Sequence, residues 1–185
     1  GREPLPDDLP GVVPPTLFRS DRDTPGDGFL ADGGSHLLTE LVWCTGHRVV
    51  EVVCLMDDAA GDMRAALSMR LDNGAMVNLS NTADSQVRSK RQHSLYVGST
   101  GVAELRGVPF QLSISNAVGH QSWAESDLPA VASPVQDFVG AIRGTNQLQM
   151  DGETALHVVE ILDAAYRSAQ GGGTLMLSTG QQGAR

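Results

Sequence analysis

Cysteine, aromatic residues and positive charge are all scarce in this 185-residue sequence. It holds two cysteines, 4% aromatic residues, and 13 Lys+Arg against 22 Asp+Glu, for a formal net charge of -9. Cys44 and Cys54 are too few for a disulfide scaffold and match no zinc spacing, so both are read as small core hydrophobes. The shortage of bases excludes nucleic acid, whose recognition is dominated by Lys and Arg on phosphates, and an anionic membrane surface with it. No apolar run approaches the roughly 20 residues that span a bilayer. No basic segment followed by an apolar stretch opens the chain, so the protein is expected to be cytoplasmic. Despite 21 glycines, there is no G-x-G-x-x-G after a strand and no G-x-x-x-x-G-K-[ST] anywhere. Those loops cradle phosphates, so this chain is expected to bind no nucleotide cofactor of its own.

What is present divides into three stretches. Residues 1–28 carry Pro4, Pro6, Pro10, Pro14, Pro15 and Pro25, six of the nine prolines. Proline fixes φ and cannot donate to a ladder, so an extended arm or linker is expected there. Residues 29–178 read as one domain, long enough to bury a core, and 179–185 as a loose tail. Within the domain, Leu37, Leu38, Leu41, Val42 and Trp43 predict a helix over about 35–45, ended by Gly46, with Asp32, Gly33 and Gly34 at its N-terminal end. From Arg48 to Ile114 the period falls to two. Val49–Met56 is a strand, Asp72-Asn73-Gly74 turns a hairpin, and further strands are expected at 92–98, 101–106 and 108–115. Ser133-Pro134-Val135-Gln136 is a capping box opening a helix with Val135, Phe138, Val139 and Ile142 on one face. Asp151 caps a second, with Leu156, Val159, Leu162 and Tyr166 expected as its buried stripe. Leu175-Met176-Leu177 is a final edge strand. The fold class is therefore α+β: an open, mostly antiparallel sheet with helices packed on one face. The positions on its other face, Ala66, Ser68, Asn78, Ser80 and Thr82, are small and polar.

Asp32 and His36 are the sharpest candidates for chemistry. Histidine gives and takes protons near neutral pH. In the first turn of a helix the dipole disfavours its cation, and a carboxylate four residues earlier can orient the ring. The competing reading is that Asp32 only caps the helix and His36 only fills a half-buried turn. The other histidines carry less. His47 follows a helix-ending glycine, His93 sits in a strand, His120 lies in a polar loop with Gln121 and Trp123, and His157 is expected to make a solvated contact with Glu153. No two have metal-ligand spacing, so no metal is expected. Arg88, Lys90 and Arg91 form a basic cluster that is either a solvated face or a contact for a phosphate or carboxylate.

The run Gly28-Phe29-Leu30-Ala31-Asp32-Gly33-Gly34-Ser35-His36 resembles the G-x-L-x-D-x-G-x-H signature of the glucose–fructose oxidoreductase / inositol dehydrogenase (Gfo/Idh/MocA) family. Tyr96-Val97-Gly98-Ser99-Thr100-Gly101 resembles its Y-G-[ST]-x-G turn. Asp137–Arg143, Asp151–Leu156 and Glu160–Ser168 are similar to its last two helices. The resemblance runs from about residue 26 to 177 and covers only the family's C-terminal half. It implies a dihydrodipicolinate-reductase-like C-terminal domain that supplies substrate and oligomer contacts, the N-terminal Rossmann domain that binds NAD or NADP being absent. It also implies that His36 is general base or acid on a substrate hydroxyl, with Asp32 orienting substrate or ring. A Lys partner would come from the nucleotide domain. One departure is that the Asp the family often carries three residues after the histidine is Thr39 here, followed by Glu40.

Two functions follow as expectations. The first is the substrate-binding and oligomerisation domain of an NAD(P)-dependent oxidoreductase acting on a sugar, polyol or related hydroxy compound. Its partners would be its Rossmann domain, the small-molecule substrate and further copies met through the sheet, and it would be inactive alone. The second is a noncatalytic oligomerisation or ligand-binding module in which Asp32 and His36 are structural.

Overall fold

The computed structural model describes residues 28–83 and 91–177; the expected arm before Gly28, the tail, Arg88 and Lys90 lie outside the described residues. A π-helical turn, Leu30–Gly34, runs into α1 (Ser35–Thr45). Then come β1 (Val49–Met56), β2 (Arg64–Leu71), β3 (Met76–Thr82), β4 (Gln92–Gly98), β5 (Gly101–Gly107), β6 (Gln111–Asn116), β7 (Gly119–Ala124), α2 (Pro134–Ile142), α3 (Gly152–Gly171) and β8 (Leu175–Met176). The strands form two four-stranded antiparallel sheets rather than one, in the orders β3-β2-β1-β8 and β4-β5-β6-β7. The chain accordingly divides into two compact units. One comprises the described residues up to Ala83 and from Met150 on; the other comprises those between.

The first unit is a sheet with helices on one face. Strict alternation along β2 sends Ala65, Leu67, Met69 and Leu71 inward, beside Val52 and Cys54 of β1. Leu38, Leu41 and Val42 of α1 and Val158, Ile161, Ala164 and Ala165 of α3 complete this core. The Asp72-Asn73-Gly74 turn joins β2 to β3 as expected, with Gly74 at φ +87 and the Leu71 amide donating to the Ala75 carbonyl at 2.9 Å. Gly46, at φ +66, ends α1 in the left-handed conformation. On the opposite face of β1–β3 stand Val53, Leu55, Ala66, Ser68, Asn78 and Ser80, lining a concavity of about 290 Å3.

The inward face of α3 differs from the expected stripe. His157, Val158, Ile161, Ala164, Ala165 and Ser168 are buried, whereas Leu156 and Val159 are exposed. The reason lies in β1. Its edge partner β8 is two residues long and pairs only with Glu51 and Val52. The buried amides of Val49 and Cys54, beyond the ends of that short ladder, still need acceptors. They donate to His157 Nε2 at 2.9 Å and Ser168 Oγ at 3.0 Å. Two polar residues of α3 thus replace missing ladder bonds, and the helix turns them toward the sheet.

The second unit holds the β4–β7 meander and α2. His120, Gln121 and Trp123, expected in a polar loop, lie in β7. Its one partly covered side chain is Trp123, so hydrophobic alternation gives no signal, and the ladder to β6 defines it. On one face of this sheet Glu104 accepts from His93 Nε2 at 2.7 Å and from Arg106, mainly through the Arg106 hydrogen bond held below the usual carboxylate range. The capping box of α2 forms as expected. The Gln136 amide donates to Ser133 Oγ at 3.3 Å, and the Ser133 amide to Gln136 Oε1 at 2.9 Å. No described helix is long and apolar enough to cross a membrane.

Candidate functional site

The site grows from the signature run Gly28–His36, and its residues divide into two groups. Leu30 is fully buried in the first unit's core. Gly28 lies against Asp62 Oδ1 and the Tyr166 hydroxyl so closely that a methyl group there would overlap both. At Gly34 a Cβ would stand 2.6 Å from Leu30 Cδ1 and 3.1 Å from Asn81 Nδ2. These glycines serve close approach rather than turning, since Gly34 has an ordinary right-handed helical conformation. The signature's apolar and glycine positions are therefore consumed by packing. Asp32 and His36 are not: His36 is exposed, and Asp32 is half-buried.

The backbone that carries them is helical earlier than expected. The turn Leu30–Gly34 is π-type, its residues flow directly into α1, and Asp32 itself lies within it. Asp32 is therefore no N-cap, and no side-chain cap is made at either helical start. His36 follows a full turn of helical backbone, so the dipole effect expected of a first-turn position is weakened there. Four residues of continuous helical chain leave Asp32 and His36 neighbours on one side of the helix. π-turns inside helices are rare and recur at functional positions.

Three neighbours absent from the sequence reasoning hold this turn. Asp62, 1% exposed, lies in the β1–β2 loop. Its Oδ2 accepts from the Leu30 amide at 2.9 Å, its Oδ1 from the Tyr166 hydroxyl at 2.7 Å, and its carbonyl from the Phe29 amide at 2.8 Å. Asn81 of β3 donates Nδ2 to the Phe29 carbonyl at 3.1 Å. Asp57 shapes the loop by accepting from the amides of Met63 and Arg64, both at 3.0 Å, and the backbone bond from Arg64 leads in holding its carboxyl below the usual range. Burial, and then the hydrogen bond to Asp62, push the Tyr166 phenol well above its ordinary pKa, so it stays a donor. Burial, with Asp62 nearby, pushes the Cys54 thiol up to about 11.

The remaining histidines are engaged elsewhere. His47 Nδ1 meets Asp72 Oδ1 at 2.7 Å. His120 Nδ1 meets Ser115 Oγ at 2.8 Å. His157, expected to be solvated beside Glu153, is instead 1% exposed and bonds the Val49 amide and Glu160 Oε2, the latter at 3.1 Å. Among the described residues no group of three or more His, Cys, Asp or Glu gathers as a metal site. The concavity on the open face of β1–β3 and another of about 380 Å3 beside α2 are not lined by Asp32 or His36.

The described residues do not fit a nicotinamide dinucleotide. Both sheets are antiparallel, and no described strand leads through a glycine-rich turn into a helix. The N-termini of α2 and α3 are closed by Ser133 and Asp151, with Asp137 and Glu153 in their first turns, where they oppose a phosphate.

In solved structures the fold recurs in an oxidoreductase domain protein from Kribbella flavida (TM-score 0.75, 17% identity, 88% of this chain and 54% of that one). It recurs in aldose-aldose oxidoreductase from Caulobacter crescentus complexed with glycerol (0.72, 18%, 90% and 52%). It is also found in the WlbA dehydrogenase from Bordetella pertussis in complex with NADH and UDP-GlcNAcA (0.64, 20%, 82% and 46%). The chain thus spans about half the length of each. No curated protein matches the sequence. The GFO/IDH/MocA C-terminal domain model matches residues 2–104, more than half of the chain and inclusive of the signature run, while α2 and α3 fall beyond the matched stretch. The chain belongs to the GFO/IDH/MocA C-terminal domain family.

Proposed function

We propose that this chain is the substrate-facing domain of an NAD(P)-dependent oxidoreductase acting on a sugar, polyol or related hydroxy compound, with His36 and Asp32 as its working pair. The observation that carries the reading is the division of labour in Gly28–His36, whose packing residues are buried and whose two proton-active side chains are left accessible. Family membership supports it, as do neighbours that include an aldose-aldose oxidoreductase and a dehydrogenase seen with NADH and a nucleotide sugar. The nucleotide, with the hydride chemistry it supplies, would be held by an N-terminal Rossmann domain of the parent protein. This chain would contribute a proton site: an imidazole nitrogen of His36 takes or returns the proton of the substrate hydroxyl, and Asp32 orients ring or substrate. The chain alone would not turn over, and the remaining wall of the substrate pocket would come from the other domain.

The test is His36→Asn in the full-length protein, assayed with NAD(H) and NADP(H) on a panel of polyols and aldoses. Loss of the proton-transfer group should lower turnover by about 10²- to 10⁴-fold with the melting curve intact. An unchanged rate would leave His36 structural. A reading frame without an upstream G-x-G-x-x-G strand–helix unit would sink the dehydrogenase assignment altogether.

The open face of β1–β3 favours self-association as a second role. Val53 and Leu55 are exposed there beside Ala66, Ser68 and Ser80, a small-residue surface over which another sheet could lie closely. Leu55→Glu should then convert a dimer or larger species to monomer in analytical ultracentrifugation; wild type already sedimenting as monomer refutes it.

A further inference from the structure

Why a carboxylate should be buried at position 62 is not explained by packing. Taking a carboxyl group out of water is costly unless its lone pairs are used, and an apolar side chain of similar volume would fill the space without that penalty. Both oxygens of Asp62 are used, and by different elements: Oδ2 by the Leu30 amide at the head of the π-turn, Oδ1 by the Tyr166 hydroxyl of α3. Asp62 also holds Phe29 through its own carbonyl, and Asn81 takes the Phe29 carbonyl from the β3 side. Phe29 and Leu30 are thereby fixed through their backbone groups. No described one of these bonds reaches Asp32 or His36 themselves.

From this arrangement we infer that Asp62, backed by Tyr166, is a positioning residue that sets the π-turn and with it the relative placement of the Asp32 and His36 side chains. The inference rests on the reading of Asp32 and His36 as a pair. Without an acceptor for the Leu30 amide the first turn frays, and Asp32 then loses its fixed place on the helical segment that carries His36. Two donors must be accepted at once. An asparagine at 62 can offer only one oxygen, and it points an NH2 group at the other donor. Tyr166→Phe removes the bond to Asp62 while keeping the ring.

The test measures coupling within the pair rather than stability. Nuclear Overhauser contacts between the His36 ring protons and the Asp32 Hβ protons are recorded in the 185-residue chain as wild type and Asp62→Asn, with Tyr166→Phe replacing Asp62→Asn should the latter not fold. A contact is expected in the wild type, as for helical residues four apart. In the Asp62→Asn or Tyr166→Phe background it should fall to less than half its wild-type intensity. Exchange of the Leu30 amide should quicken about 10-fold or more while the Val52 and Leu67 amides keep their protection. Equal contacts in the wild type and the variant overturn the positioning role and leave the pair standing. No contact in the wild type overturns the pair itself, and the positioning role falls with it.

Discussion

Protonating His157 should unfasten α3 from β1, and the sign and slope of that effect follow from its contacts. The ring is 1% exposed, and its Nε2 accepts the Val49 amide at 2.9 Å. A backbone N–H can only donate, so this nitrogen must be unprotonated, and in the neutral ring the proton sits on Nδ1, 3.1 Å from Glu160 Oε2. Arg48 stands close by, its guanidinium 3.0 Å from Nδ1 and 3.2 Å from Glu160. Burial holds the His157 pKa below its usual value; the hydrogen bond to Glu160 opposes this and the Arg48 charge reinforces it. The unfolded chain, with an ordinary histidine near 6.5, therefore binds the proton more readily than the folded one. Stability from this group is complete above about pH 6.5 and is lost as pH falls from there through the depressed folded value. The slope for one proton is at most about 1.4 kcal/mol per pH unit. His157→Gln cannot titrate, so the difference in urea unfolding free energy between wild type and this variant isolates the effect from every other group. That difference should shrink steadily between pH 7 and pH 5.5. A constant difference over the interval refutes the argument, because it would mean that the folded state takes the proton as easily as the unfolded one.

Two other perturbations probe the packing around the signature run. Gly28→Ala sets a methyl against Asp62 and Tyr166, and overpacking of this kind should cost about 1–3 kcal/mol, read as a lower denaturant midpoint; an unchanged midpoint contradicts the close approach. Cys54 is buried with its thiol pushed up to about 11, whereas Cys44 is exposed. Iodoacetamide at pH 7.5 should therefore modify one thiol quickly in the native protein and both only in denaturant; prompt labelling of both would contradict the assignment.

The local features of the fold were legible because each has a local cause. The helix over 35–45, the Asp72-Asn73-Gly74 hairpin, the Ser133 capping box and the Asp151 cap all depend on residues within a few positions of one another. The buried face of α3 was not legible for a cause that hydrophobicity cannot express. Leu156 and Val159 outrank His157 and Ser168 on any apolar scale, yet they face outward. What turns the helix is the demand of two β1 amides for acceptors beyond a two-residue edge strand, and that demand exists only once β8 has been placed. The division into two sheets was hidden for a similar reason. Period-two patterning marks strands but not which ladder each one joins, and β7 has no apolar alternation to mark even that.

The candidate site shows the same boundary more sharply. Asp32 and His36 stand out in sequence because they are four residues apart on one segment. The groups that hold the start of that segment come from Asp62 and Tyr166, whose bonds to the turn or to one another span 32 and 104 residues. In one dimension Asp62 is merely the last acid of Asp57-Asp58-Ala59-Ala60-Gly61-Asp62, a loop that reads as solvated. Its burial is decided by Gly28, which leaves room for the carboxylate, and by Tyr166, which supplies a donor against it. The glycine of the signature is thus the local trace of a distant contact: it marks where another element approaches, without saying which one. A signature of this kind records chemistry and close packing together. Sorting its positions by burial in the folded chain separates Leu30 and Gly34, which are buried, and Gly28, which admits another element, from Asp32, which is half-buried, and His36, which is exposed.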